Sequence, residues 1–145
     1  MKKIGIVGFS GRPFNKHIAH SLLYKHINAL KQKYGAKNLE IVSGYTNIGI
    51  PKIAYEIADE LGITTVGLSA KEALSVDCGL YPVDKVMIVG ECFGDESPTF
   101  INYIDIMIRV GGGKQSMDEV DHFKEKFTDA QLLDVLFEEE LEELK

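Results

Sequence analysis

The sequence predicts an α/β fold, three layers deep (α/β/α), on a mainly parallel sheet of about five strands, and three observations carry that prediction. Short apolar runs alternate with longer stretches of helical periodicity along the chain, the pattern of strands buried on both faces beneath covering helices. Three of those runs end in glycine-bearing turns that lead into a helical stretch. Finally, 145 residues with 45% apolar and 26% charged side chains match one globular domain with one core.

Taken in order, Lys3–Val7 is a buried strand that stops at Gly8-Phe9-Ser10-Gly11-Arg12-Pro13. A helical pattern from about Asn15 to Tyr34 puts Ile18, Leu22, Leu23, Ile27 and Leu30 on one face, with Asn15 as N-cap and Gly35 as the stop. Leu39–Val42 is the second strand, closing at Ser43-Gly44, and a loop leads to a helix that starts near Ile50-Pro51 and ends at Leu61 before Gly62. Ile63–Leu68 is a third strand, with a short helix at Ala70–Leu74. Lys85–Val89 is the fourth, followed by Gly90-Glu91-Cys92-Phe93-Gly94 and a short helix at Pro98–Tyr103. Asp105–Val110 is the fifth, followed at once by Gly111-Gly112-Gly113 and a helix from about Gln115 to Lys126. A last helix is expected from about Asp129 to Leu144, capped by Thr128. Residues 1–126 thus form a Rossmann-like domain. Residues 127–145 form an acidic amphipathic helix, packed on the same domain through Leu132, Leu133, Leu136, Phe137 and Leu141 or used as a dimer contact.

Composition narrows the function. The net charge is −6, with much of the excess acid in Glu138, Glu139, Glu140, Glu142 and Glu143; a nucleic-acid surface needs the opposite sign. No stretch approaches a membrane span, and the opening apolar run is too short for a secretory core. Cys78 and Cys92 make no disulfide framework, so a cytoplasmic protein is expected. No His, Cys or acid cluster has metal-ligand spacing, and His17 and His20 on the first helix read as ordinary helix positions. No cofactor is expected either. Gly5, Gly8 and Gly11 miss the G-x-G-x-x-G spacing, Ser43-Gly44 stands where a ribose-binding acid belongs, and no G-K-[ST] follows the first turn.

In an open parallel sheet, ligands bind beyond the carboxyl ends of the strands, where glycine lets backbone amides approach an anion and helix N-termini add positive field. The candidate ligand-binding residues are therefore Gly8, Ser10, Gly11 and Arg12 in the first turn, Ser43, Gly44, Asn47 and Gly49 in the second, and Gly111, Gly112, Gly113, Lys114, Gln115 and Ser116 in the third. Arg12 and Lys114 are either phosphate ligands or solvated cations. Ser10 and Asn47 are equally good turn formers, and Ser116 also reads as an N-cap.

Two of these turns carry a family resemblance. Ser43, Gly44, Gly49, Ile50 and Ala54, with Gly112, Gly113, Ser116 and Glu119, resemble the signature of the SLOG superfamily, which joins the DNA-processing protein A and Lonely Guy (LOG) families. There a Ser-Gly turn accompanies a Gly-Gly-x-Gly-Thr-x-x-Glu turn; here Gln115 replaces the last glycine and Ser116 the threonine. The likeness covers roughly residues 3–126. It implies a Rossmann-like fold, often dimeric, that binds nucleotides or nucleotide-derived signals. LOG enzymes, which cleave the base from nucleoside 5′-monophosphates, also carry an arginine in a Met-His-x-Arg-Lys stretch. The matching stretch here, Phe93–Ser97, has no basic residue. They usually add a further strand after the Gly-Gly helix, for which the sequence shows no candidate.

Glu119 is the first catalytic candidate: in the family it faces the ribose or the glycosidic bond, whereas structurally an acid there only favours a helix N-terminus. Glu91, ending the fourth strand, is the second, as nucleophile or base. The leading expectation is a domain that binds a phosphorylated nucleotide or nucleotide-derived metabolite, as sensor or sequestering protein, with phosphate against Gly112–Ser116 and Ser43-Gly44 and the base toward the first loop. The alternatives are an N-glycosidic-bond hydrolase or transferase acting on nucleoside monophosphates, and a protein-interaction domain without ligand. A homodimer is the expected assembly, with no nucleic-acid or membrane partner.

Overall fold

In the computed structural model, which describes residues 1–144, β1 (Lys2–Gly8) lies inside a six-stranded sheet. β2 (Leu39–Ser43), β3 (Thr64–Ser69) and β4 (Lys85–Ile88) extend it on one side; β5 (Ile106–Val110) and β6 (Leu136–Glu139) extend it on the other. The order is β4-β3-β2-β1-β5-β6, and every pairing is parallel. The chain steps outward from β1 to β4 and then returns to the far side of β1, so the point of reversal lies between β1 and β5. That is where an open sheet of this kind leaves a crevice.

Side-chain alternation sorts the helices into two layers. Ile4 and Ile6 of β1, Ile41 of β2 and Ile106 and Ile108 of β5 share one apolar cluster with α1 (Lys16–Tyr34) and α2 (Gly49–Leu61). Val7, Val42, Val66 and Met107 point the other way, into a cluster with α3 (Ser97–Tyr103) and α4 (Lys114–Lys124). The strands bury both faces, which is why they read as continuous apolar runs. The expected stops are in place. Asn15 accepts the Ile18 amide at 3.1 Å, Gly35 (φ 86°) closes α1, and Gly62 takes the left-handed conformation after α2.

The C-terminal expectation is corrected. α5 (Asp129–Val135) starts as predicted at Thr128, which forms a capping box with Gln131, but it ends after two turns. Leu136–Glu139 then becomes β6, the sixth strand, in register with β5. The glutamate run is rich in helix formers, yet two tertiary demands override that propensity. Without β6 the backbone of β5 would be an open edge. In addition Arg109, 4% exposed, sits opposite Glu138 in the register, donates to Glu138 at 2.9 Å and to the Gly111 carbonyl at 2.9 Å, and pairs with Glu140. The further strand after the Gly-Gly helix, for which the sequence shows no candidate, is therefore present. No described helix is long and apolar enough to cross a membrane.

Candidate functional site

At the reversal point the carboxyl ends of β1, β2 and β3, with the start of α4 beyond β5, surround a cleft of about 330 Å³. The first turn contributes Gly8, Ser10, Gly11 and Arg12; the second contributes Ser43 and Gly44; the third contributes Gly113, Lys114, Gln115, Ser116 and Glu119. Three segments far apart in sequence thus meet at one place, because parallel strands deliver their outgoing loops to one edge.

Two of the helix N-termini at this edge, those of α2 and α4, differ in availability. The Ile50 amide in the first turn of α2 donates to the Phe9 carbonyl at 2.8 Å, so the first loop is docked there. Gly49 makes that docking possible. Its φ is 67°, and a Cβ would meet Phe9 O and Ser10 at 2.5 Å. α4 is different. Its cap residue is Gly113, its first intrahelical bond runs from the Met117 amide to the Gly113 carbonyl at 3.1 Å, and no side chain caps it. The amides of Lys114, Gln115 and Ser116 therefore begin a helix whose opening residues line the cleft, the arrangement that suits an anion.

Ser116 is not the N-cap. Its hydroxyl donates across the cleft floor to the Gly8 carbonyl at 3.3 Å. Gly111 (φ 60°) and Gly112 (φ 105°) lie beneath the cleft and shape the turn; a Cβ on Gly112 would sit 2.6 Å from Ser116 Oγ. Ser43 is buried and gives its hydroxyl to the Ile6 carbonyl at 2.7 Å. The Ser43-Gly44 turn is held from below by Tyr55, whose hydroxyl lies 2.8 Å from Gly44 O and 3.0 Å from Val66 O. Asn47 stays out of the lining; its amide donates to Gly79 O at 3.0 Å. Arg12 reaches the cleft mouth, where it pairs with Glu143 at 3.2 Å.

Of the two carboxylates singled out in the sequence, the cleft contains Glu119 alone. Glu119 is 9% exposed and accepts the Ser97 hydroxyl at 3.0 Å. Burial pushes its carboxyl up to about 7, with the charges of Glu96 and Asp118 adding to the rise against the Ser97 hydrogen bond. Glu91 faces solvent instead, its side chain 73% exposed and paired with Lys71 at 3.2 Å. The cause is local. Gly90 (φ 79°) turns the chain, and Asp95 accepts the amides of Glu91 and Cys92, hooking the loop outward. Those two backbone donors hold the Asp95 carboxyl below its usual range.

Glu96 takes the inward position and went unrecognised in the sequence. It is 8% exposed, accepts the Gly94 amide at 3.0 Å and lines the cleft with Phe93. The signal in the sequence is an acid just before Ser97-Pro98, at a helix start. Thr46, Ser69 and Phe100 also line the cleft, and spacing gave no warning of them. Chemically the cleft offers amide donors and two cations at one wall, hydroxyls along the floor, and a buried carboxyl pair opposite.

No family model and no curated protein matches the chain. Solved structures do share its fold. TM1055, a structural-genomics target solved by X-ray crystallography, superposes with a TM-score of 0.67 at 23% identity, over 87% of this chain and 70% of that one. The molybdenum cofactor carrier protein of Chlamydomonas reinhardtii superposes at 0.66 and 16% identity, over 94% and 88%. At such identities the likeness establishes the Rossmann-like α/β architecture.

Proposed function

We propose that this protein is a SLOG-type domain that binds a phosphorylated nucleotide or nucleotide-derived metabolite in the cleft, as a sensor or sequestering protein. The observation that carries the reading is the uncapped start of α4 at Gly113–Ser116, lining the cleft while the competing helix start of α2 is filled by Phe9. Lys114 and Arg12 add cationic reach, Ser10 adds a hydroxyl for phosphate or ribose oxygens, and Ser116, whose hydroxyl is given to the Gly8 carbonyl, adds its backbone amide. The fold-level likeness to a protein named as a cofactor carrier is in keeping with a holding role. The resemblance adds a soluble homodimer to the proposal, checked by sedimentation. A thermal-shift screen of nucleoside 5′-monophosphates against the parent nucleosides tests it. Ligand at 100 times its Kd contributes ~2.7 kcal/mol, and stabilisation must need the phosphate. A panel without any shift would move the function to protein binding.

A second reading has one specific observation in its favour: Glu119 is buried inside the cleft beside Glu96, a setting that raises its carboxyl to about 7, as suits a general acid for N-glycosidic cleavage. In that reading Glu96 stands in the role expected of Glu91. Release of free base from a nucleoside monophosphate, lost in Glu119→Gln, would establish it. Binding without release over hours would leave the sensor reading alone.

A further inference from the structure

A second concavity, of about 790 Å³, runs between α3 and α4 and shares Lys114, Gln115 and Glu119 with the cleft. Its apolar surface comes from Pro98 and Ile101 on α3 and from the aliphatic stem of Lys126. Of its two lysines, Lys126 is engaged, its Nζ donating to the carbonyls of Ile101 at 2.7 Å and Ile104 at 2.8 Å, whereas Lys114 makes only an exposed pair with Asp118 at 3.3 Å and stays available to the phosphate. The Ser97 hydroxyl is spent on Glu119. Three carboxylates, of Asp118, Glu119 and Glu125, then outnumber the one free lysine, with the polar side chains of Asn102, Gln115 and His122 beside them. A ligand group that brings N–H donors or positive charge suits those carboxylates, two of them at exposed positions, whereas an anionic group would be repelled.

We propose that this groove holds the base end of the ligand whose phosphate sits at the start of α4, and that this end is a flat apolar group bearing amine or cationic N–H donors. The proposal rests on the anion reading of the cleft and moves the base from the first loop to the α3–α4 groove. The spacing suits it. Glu119 lies five residues along α4 from Lys114, ~7.5 Å at the helical rise, a gap that one pentose ring bridges.

Amide NMR on the full chain, with fragment probes, separates the two claims. Benzamidine offers a flat ring with cationic N–H donors; benzoate offers the same ring with the opposite charge. Benzamidine should shift the amides of Ile101, Asn102 and His122 and bind about tenfold more tightly than benzoate, 1.4 kcal/mol in its favour. Glu125→Lys and Asn102→Arg, both at exposed positions, should each weaken benzamidine several-fold while inorganic phosphate still shifts Gly113–Ser116. Equal responses to the two rings, shifts elsewhere, or indifference to both substitutions would overturn the groove assignment. Phosphate without effect at Gly113–Ser116 would instead sink the anion reading, and with it the single-ligand link, even if benzamidine occupies the groove.

Discussion

Replacing Glu119 by Gln should turn a pH-dependent fold into a nearly pH-independent one over the neutral range. The native carboxyl titrates near 7 against an unperturbed 4.5. Between those values the folded protein binds more protons than the unfolded chain, so stability falls as pH rises, fully present below 4.5 and lost through 7. At 1.36 kcal/mol per unit, the loss between pH 5 and pH 8 comes to ~2 to 3 kcal/mol. Gln keeps the shape and still accepts the Ser97 hydroxyl through its amide oxygen, but it carries no charge to desolvate. Glu119→Gln should therefore match the parent at pH 5 and exceed it by ~2 kcal/mol at pH 8. At ~3 °C per kcal/mol for a chain of this size, that is a gap of ~6 °C in Tm. Chemical denaturation at half-unit steps from pH 5 to pH 8 measures it. Parallel pH profiles for the two proteins would refute the claim that Glu119 is a buried, proton-holding carboxyl.

Other substitutions probe the frame around the cleft. Gly8→Ala places a Cβ 2.2 Å from the Val110 carbonyl, so thermal denaturation should show a loss of roughly 3 kcal/mol or more, or no folded protein. Arg109→Met strips donors from the Gly111 carbonyl and from Glu138 and Glu140; the cost should be roughly 2–4 kcal/mol, with hydrogen exchange fastest at Phe137–Glu139 as β6 loosens. Tyr55→Phe leaves the Ser43-Gly44 turn without its support from below and should cost roughly 1–2 kcal/mol, read by urea denaturation.

Much of the fold was legible because the signals were local. Asn15, Gly35, Gly62 and Thr128 mark helix ends by their own chemistry, and apolar runs such as Ile106–Val110 admit one environment only. β6 was not legible, because its cause is tertiary: the Leu136–Glu139 run obeys the edge of β5 and the buried Arg109 rather than its own propensity. The cleft divides the same way. Glycine turns announced which loops gather, but a loop's inside is set by a few dihedrals. Gly90 and Asp95 decide that Glu96 faces in and Glu91 faces out, and neither residue advertises that in sequence. Gly49 reads as a ligand glycine in the sequence; in the fold it lies outside the cleft lining and lets Phe9 and Ser10 approach.

Gly113→Asp tests the anion site most directly. Gly113 lies in extended backbone with open space where a Cβ would go, and Asp is a better N-cap than glycine, so the fold should be unharmed or slightly firmer. The same carboxylate would occupy the α4 amides and repel phosphate. The account predicts that a nucleoside monophosphate that raises Tm in the parent leaves Gly113→Asp unmoved, with unliganded Tm equal or higher. Undiminished stabilisation of Gly113→Asp by that nucleotide would contradict it, because the phosphate would then be held somewhere other than the start of α4.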